Sequence, residues 1–123
     1  PFDVAEAKEI IKTKPQQLSQ EEMFLVAQTY EPGSKEFNDV MEIAVRMFPE
    51  NETANLNAAN TRLNAGDADG AKSYLEKAGN SPEALNARGV YEALKGNDQQ
   101  ARHYFGLAAK AGVKAAQENL ENL

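Results

Sequence analysis

The chain has no cysteine, no tryptophan and a single histidine, His103. Without cysteine there is no disulfide framework, no thiolate zinc site and no cysteine nucleophile. One histidine excludes any site built on two imidazoles. No apolar run approaches the roughly 20 residues of a membrane-spanning helix. The start shows no basic stretch leading into an apolar core of the kind a signal peptide has. Basic residues are also in deficit: 13 Lys and Arg stand against 19 Asp and Glu, a net charge of -6. That balance argues against nucleic acid, whose binding rests on cations neutralising phosphates. The deficit is concentrated early, with ten acids and five bases in residues 1–50 and nine acids and eight bases in residues 51–123. Mixed exposed charge of this kind is the ordinary way to keep a helix surface solvated.

What is present points to one helical domain. Of 123 residues, 41% are hydrophobic and 26% charged, values of a folded chain. Alanine is plentiful and β-branched residues are few, which favours helix over sheet. Start and stop signals place eight helices and no strand. The first spans 3–14, opened by Asp3 with Glu6 as a capping box and stopped by Pro15. The second runs from Ser19, with Glu22 as a second box, to Tyr30. The third runs from Ser34 to Phe48, its buried face drawn by Phe37, Val40, Met41, Ala44 and Phe48. The fourth begins near Thr53 and ends at Ala65, with Gly66 as left-handed cap. Asp67 opens the fifth, which ends at Ala78. Ser81 opens the sixth with Pro82 in its first turn, where a missing N–H is harmless. Asn97 or Asp98 opens the seventh, and the eighth covers 113–123. Short connections make neighbours antiparallel.

A repeat runs through these helices. Gly66, Ala71, Leu75 and Ala78 recur 30 residues on as Gly96, Ala101, Phe105 and Ala108, and Tyr74 recurs as Tyr104. Thirty-four residues back, Ala71, Leu75 and Ala78 match Phe37, Met41 and Ala44. Pro15, Pro49 and Pro82 punctuate the units at spacings of 34 and 33. A period of this length with two helices per unit is the signature of a helical solenoid.

The unit resembles the tetratricopeptide repeat. Ala59 and Gly89 hold the small position of its helix A, Gly66-Asp67 and Gly96-Asn97 its turn, and Ala71, Leu75, Ala78 and Ala101, Phe105, Ala108 its helix B. The resemblance implies an all-α, right-handed superhelix of about eight antiparallel helices in a single domain, 1–123. Its parts are a partial repeat at 3–14, repeats at about 18–49, 52–82 and 82–111, and a capping helix at 113–123. The stretch from Ala101 to Leu120 also resembles Sel1-like repeats, without their longer loops. The 3–14 helix fits as a helix B lacking its helix A, and the chain starts at Pro1 rather than Met. Both observations lead to the expectation that the chain is a fragment of a longer protein. The last helix is expected to turn Val113, Ala116, Leu120 and Leu123 inward, as an end repeat requires.

In such modules helix A lines a concave groove that takes a peptide. Glu22, Val26 and Tyr30 would line it from the second helix, Leu56, Asn60, Leu63 and Asn64 from the fourth, and Asn86, Val90 and Leu94 from the sixth. The candidates singled out are Glu22, Tyr30, Asn60, Asn64, Asn86 and Val90. Asn57, Asn60 and Asn64 follow one another at spacings of three and four. Asn is a poor helix former, and its amide both donates and accepts, which suits reading a peptide backbone. The alternative is that these amides bond neighbouring helices and water. A clamp of Lys and Asn that grips a ligand's terminal carboxylate is not expected: Asn60 holds a matching position, but Glu22 and Glu83 occupy the lysine positions.

Catalytic chemistry finds no foothold. His103 reads as a surface residue, Ser19, Ser34 and Ser81 as caps, and Asp67-Ala68-Asp69-Gly70 fails the calcium-loop pattern. The expected function is therefore non-catalytic protein or peptide binding through the helix-A groove, with no cofactor, metal or nucleic acid and no insertion of this domain into a membrane. A structural spacer docking other domains through its end helices is the alternative. The strings at 22–27, 48–49, 54–59 and 74–78 resemble the C-terminal helical region of large Gram-negative cell-envelope proteins that carry an OmpA-like segment upstream. That resemblance implies a periplasmic or outer-membrane-associated location.

Overall fold

Helices in this chain begin where a side-chain oxygen can accept the N–H three residues on. In the computed structural model, which describes residues 2–123, six starts are fixed this way. Asp3 opens α1 (Val4–Thr13), Ser19 opens α2 (Gln20–Ala27) and Ser34 opens α3 (Lys35–Met47). Asn51 opens α4 (Glu52–Asn64), Asp67 opens α5 (Ala68–Glu76) and Ser81 opens α6 (Pro82–Leu94). The cap distances run from 2.9 Å at Asn51 and Asp67 to 3.2 Å at Asp3, and each such cap contributes about 1 kcal/mol. α7 (Asp98–Lys110) and α8 (Lys114–Glu121) complete the fold, which is all-α among the described residues.

Several ends differ from the sequence expectation. A 3-10 turn at Pro15–Gln17 joins α1 to α2. α2 stops at Ala27, not Tyr30. There the chain tightens into three-residue bonds from the Thr29 and Tyr30 N–H groups, and the Thr29 hydroxyl donates to the Val26 carbonyl at 2.7 Å. The box at Asp3 is half formed, whereas Ser19 and Glu22 bond reciprocally. α5 ends at Glu76 rather than Ala78. Asn97 stands in the cap position of α7 but its side chain bonds no helical N–H. Asn51 caps α4, two residues before the start near Thr53 that the spacing suggests. Below it the buried amide of Asn55 donates to the Asn51 and Pro49 carbonyls at 2.8 and 2.9 Å.

Two turns are built alike. Gly66 and Gly96 follow α4 and α6 with φ of 78° and 82°, and the next N–H reaches back to Arg62 and Glu92 respectively, each at 2.8 Å. This closure satisfies carbonyls left open at the helix end, and glycine adopts the left-handed backbone without a Cβ penalty.

The packing is near-neighbour throughout. Each helix packs on the next, and the substantial contacts beyond that join α4 to α6 and α6 to α8. One buried cluster is built from α1 to α4 around Ile11, Met23, Val26, Met41 and Val45. A second joins α4, α5 and α6 through Ala59, Leu63, Ala71, Leu75 and Ala87. α8 turns Ala116 fully inward and half-buries Val113, Leu120 and Leu123, while Lys114, Gln117, Glu118 and Glu121 are exposed. Arg62 ties three helices together: its guanidinium pairs with Glu42 of α3 and lies 4.5 Å from the ring centre of Tyr74 on α5. The hydrogen bond to Glu42 raises the Arg62 pKa above its ordinary value.

Gly89 explains the closeness of α6 and α7. A Cβ there would overlap Cδ1 and Cε1 of Phe105, whose ring is fully buried. One repeat earlier the same two positions hold Ala59 and Leu75. A larger helix-A residue thus goes with a smaller helix-B residue. Gly89→Ala is expected to destabilise the protein by about 2 kcal/mol in denaturant unfolding, overpacking outweighing alanine's helix preference of about 1 kcal/mol. Adding Phe105→Leu should recover part of that loss, by about 1 kcal/mol relative to additivity.

A second prediction concerns Asp69. Its carboxylate accepts from Lys95 Nζ at 2.9 Å, and this hydrogen bond, followed by the charge of Lys95, lowers its pKa. The pair's contribution is present above the unfolded pKa and disappears as pH falls through the folded one. The Asp69 carboxyl signal should titrate below the ordinary carboxylate range, and Lys95→Met should return it upward. An unchanged midpoint in the variant would show that the pair does not persist in solution.

Candidate functional site

The six candidate residues divide by what their side chains are already doing. Glu22 is committed to the start of α2: its Oε1 accepts the Ser19 N–H at 2.8 Å. Tyr30, just past α2, is half-buried against the first core cluster, and the Lys8 ammonium sits 4.8 Å over its ring. Val90 packs half-buried on the second cluster. Asn86 accepts from the Asn119 amide at 3.2 Å, which links α6 to α8. Glu22 and Asn86 thus have a side-chain oxygen engaged and Val90 has no polar group, while the Tyr30 hydroxyl bonds no other described residue.

Asn60 and Asn64 are different. Both are exposed on α4, and neither makes a hydrogen bond to another described residue. Asn57, one turn earlier, is half-buried and donates to the side-chain Oδ1 of Asn38 on α3 at 3.3 Å. The asparagine row therefore splits: its first member bridges helices, and its second and third face solvent. The α6 helix, packed on α4, adds Leu94, which is 46% exposed. Two further residues expected to line the groove do not. Val26 and Leu63 are buried, because each points into a helix–helix interface and completes a core cluster.

The helix-A face is thus a shallow strip with two unpartnered amides and one exposed leucine. An exposed primary amide can donate two hydrogen bonds and accept two. An apolar hollow lies elsewhere, between α5, α6 and α7, and shares none of the six residues. The sequence carried one signal for it: Arg88 stands where the preceding repeat has Ala58. No helix among the described residues is long and apolar enough to cross a membrane.

The chain matches no protein-family model, no curated protein and no solved structure.

Removal of the two free amides separates a structural from a recognition role. Asn60→Ala with Asn64→Ala is expected to stabilise the fold by about 1 kcal/mol, because alanine is the better helix former and no bond is lost. Asn86→Ala, which forfeits the link to Asn119, should gain less. Thermal unfolding of the two variants checks this, and a destabilised double variant would assign the amides to the fold.

Proposed function

We propose that the chain is a non-catalytic peptide- or protein-binding module whose helix pairs stack as a right-handed, tetratricopeptide-like superhelix. The helix-A strip of α4 and α6 takes the partner through its exposed amides. The observation that carries this reading is the pair Asn60 and Asn64. Asn60 is a poor helix former held in mid-helix and Asn64 closes the last turn of α4; both are exposed, and their side chains bond nothing else described. A fold that only needed stability would do better with alanine at position 60. The acidic N-terminal half adds a preference for neutral or basic partners. A location in the cell envelope, within a larger protein, rests on the resemblance of the four short strings alone.

One observation favours the second reading, a structural platform that docks other domains through its ends. Phe2 is 37% exposed and borders an open hollow beside α1, together with Ile10 and Leu18. Photocrosslinking groups placed in turn at Asn60, Asn64, Phe2 and Leu120 distinguish the two. The groove reading predicts peptide or protein adducts from positions 60 and 64 that disappear with unlabelled partner in excess. Adducts confined to positions 2 and 120 would replace it with the platform.

A further inference from the structure

Seven of the eight glycines answer to the fold. Gly33, Gly66, Gly79, Gly96 and Gly112 take left-handed backbone between helices. Gly70 lies under the Asp67 carboxylate that caps α5, and Gly89 makes room for Phe105. Gly106 has no such reason. It sits inside α7, and a Cβ added to it would meet no atom within 4 Å. After proline, glycine is the least favourable residue in a helix interior. The fold therefore carries a cost at position 106 that nothing within it calls for.

Spacings of three and four put His103, Gly106, Leu107 and Lys110 on one face of α7, opposite the buried Ala101, Phe105 and Ala108. Leu107 is 41% exposed on that face. Gln99, Gln100 and His103 border an open hollow at its start. Residues 99–117 hold Arg102, Lys110 and Lys114 and not one acid, in a chain of net charge -6. All three bases are exposed, and none is ion-paired among the described residues. Such a face attracts an acidic partner and repels a basic one. The missing Cβ at position 106 leaves a notch between side chains one turn apart. A ridge of another helix packs into a groove of this kind, and glycine lets its backbone come close. We propose that the outer face of α7 docks an acidic amphipathic helix of a partner protein. The helix crosses α7 at Gly106, with an apolar side chain against Leu107 and carboxylates toward Arg102 and Lys110. This surface shares no residue with the helix-A strip, so either one can fail without the other.

The test is a nuclear magnetic resonance titration of the labelled chain with a stapled helical peptide of about 15 residues, built from Ala, Leu and Glu. Saturable shifts are expected at the amides of His103, Gly106, Leu107 and Lys110, with a dissociation constant on the order of 0.1–1 mM for one exposed helix face. Binding should weaken about threefold or more between about 20 and 200 mM salt. The same peptide with Lys in place of Glu should not bind. Gly106→Ala should raise the unfolding midpoint by about 2–5 °C, as alanine is the better helix former, and yet weaken the peptide about threefold or more by filling the notch. A purely structural glycine would not move binding and stability in opposite directions. Absence of saturation, equal binding of the Lys peptide, unchanged binding in Gly106→Ala, or shifts centred on Asn60 and Asn64 would each overturn the proposal. Two further results would replace it. Loss of the His103 and Leu107 signals on phosphatidylserine vesicles would give the face to a membrane surface. Concentration-dependent shifts there without peptide would give it to a second copy of the chain.

Discussion

The approach of α6 to α7 at Gly89 is the constraint on which the rest of the structure turns. The Phe105 ring lies where a side chain on residue 89 would have to be. That single exclusion sets the distance between the two helices, and Ala59 and Leu75 repeat the device one unit earlier. Fourteen of the 24 buried apolar residues are alanine, so close helix approach rather than bulky side chains fills this interior. A core of this kind holds each helix mainly to its neighbours, and the substantial helix–helix contacts beyond that join α4 to α6 and α6 to α8.

Long polar side chains do the remaining bridging. Asn55 sits inside the turn between α3 and α4, Arg62 binds α3, α4 and α5, and Arg88 spans α6 and the end of α5. Each works from within the structure. With that duty met there, the outer amides of Asn60 and Asn64 have none. Arg88 is the one bridge left incomplete, because one nitrogen is fully engaged and the other is buried without an acceptor. The free amides and the incomplete guanidinium are therefore distinct surpluses, on separate sets of residues.

Helix starts were legible in the sequence because they are decided within four residues. Ser19, Ser34, Asp67 and Ser81 cap as their spacing suggests. Glycine turns were legible for the same reason. The end of α2 was not, since Thr29 and Tyr30 could continue a helix and only the observed three-residue bonds stop it. Asparagine proved the hardest residue to read. Asn51, Asn55, Asn57 and Asn60 serve as cap, buried brace, interhelix link and exposed amide within ten residues of sequence. Spacing alone cannot tell these apart, because each role depends on which helix lies opposite. The same holds for the groove residues Val26 and Leu63, whose burial comes from neighbouring helices, and for the Arg88 hollow, which needs three helices to exist. The helix content, the caps and the small-residue positions were local facts. The division of labour among the amides was a tertiary one.

The central claim is that neighbouring helix pairs hold one another through small-residue contacts, with stability passed along the chain locally. Native-state hydrogen exchange of Gly89→Ala beside the parent chain tests it most directly. Protection should fall in α6, α7 and α8 while α1, α2 and α3 keep the protection they had. A uniform loss from α1 to α8 would contradict it, by showing that the helices share one cooperative core.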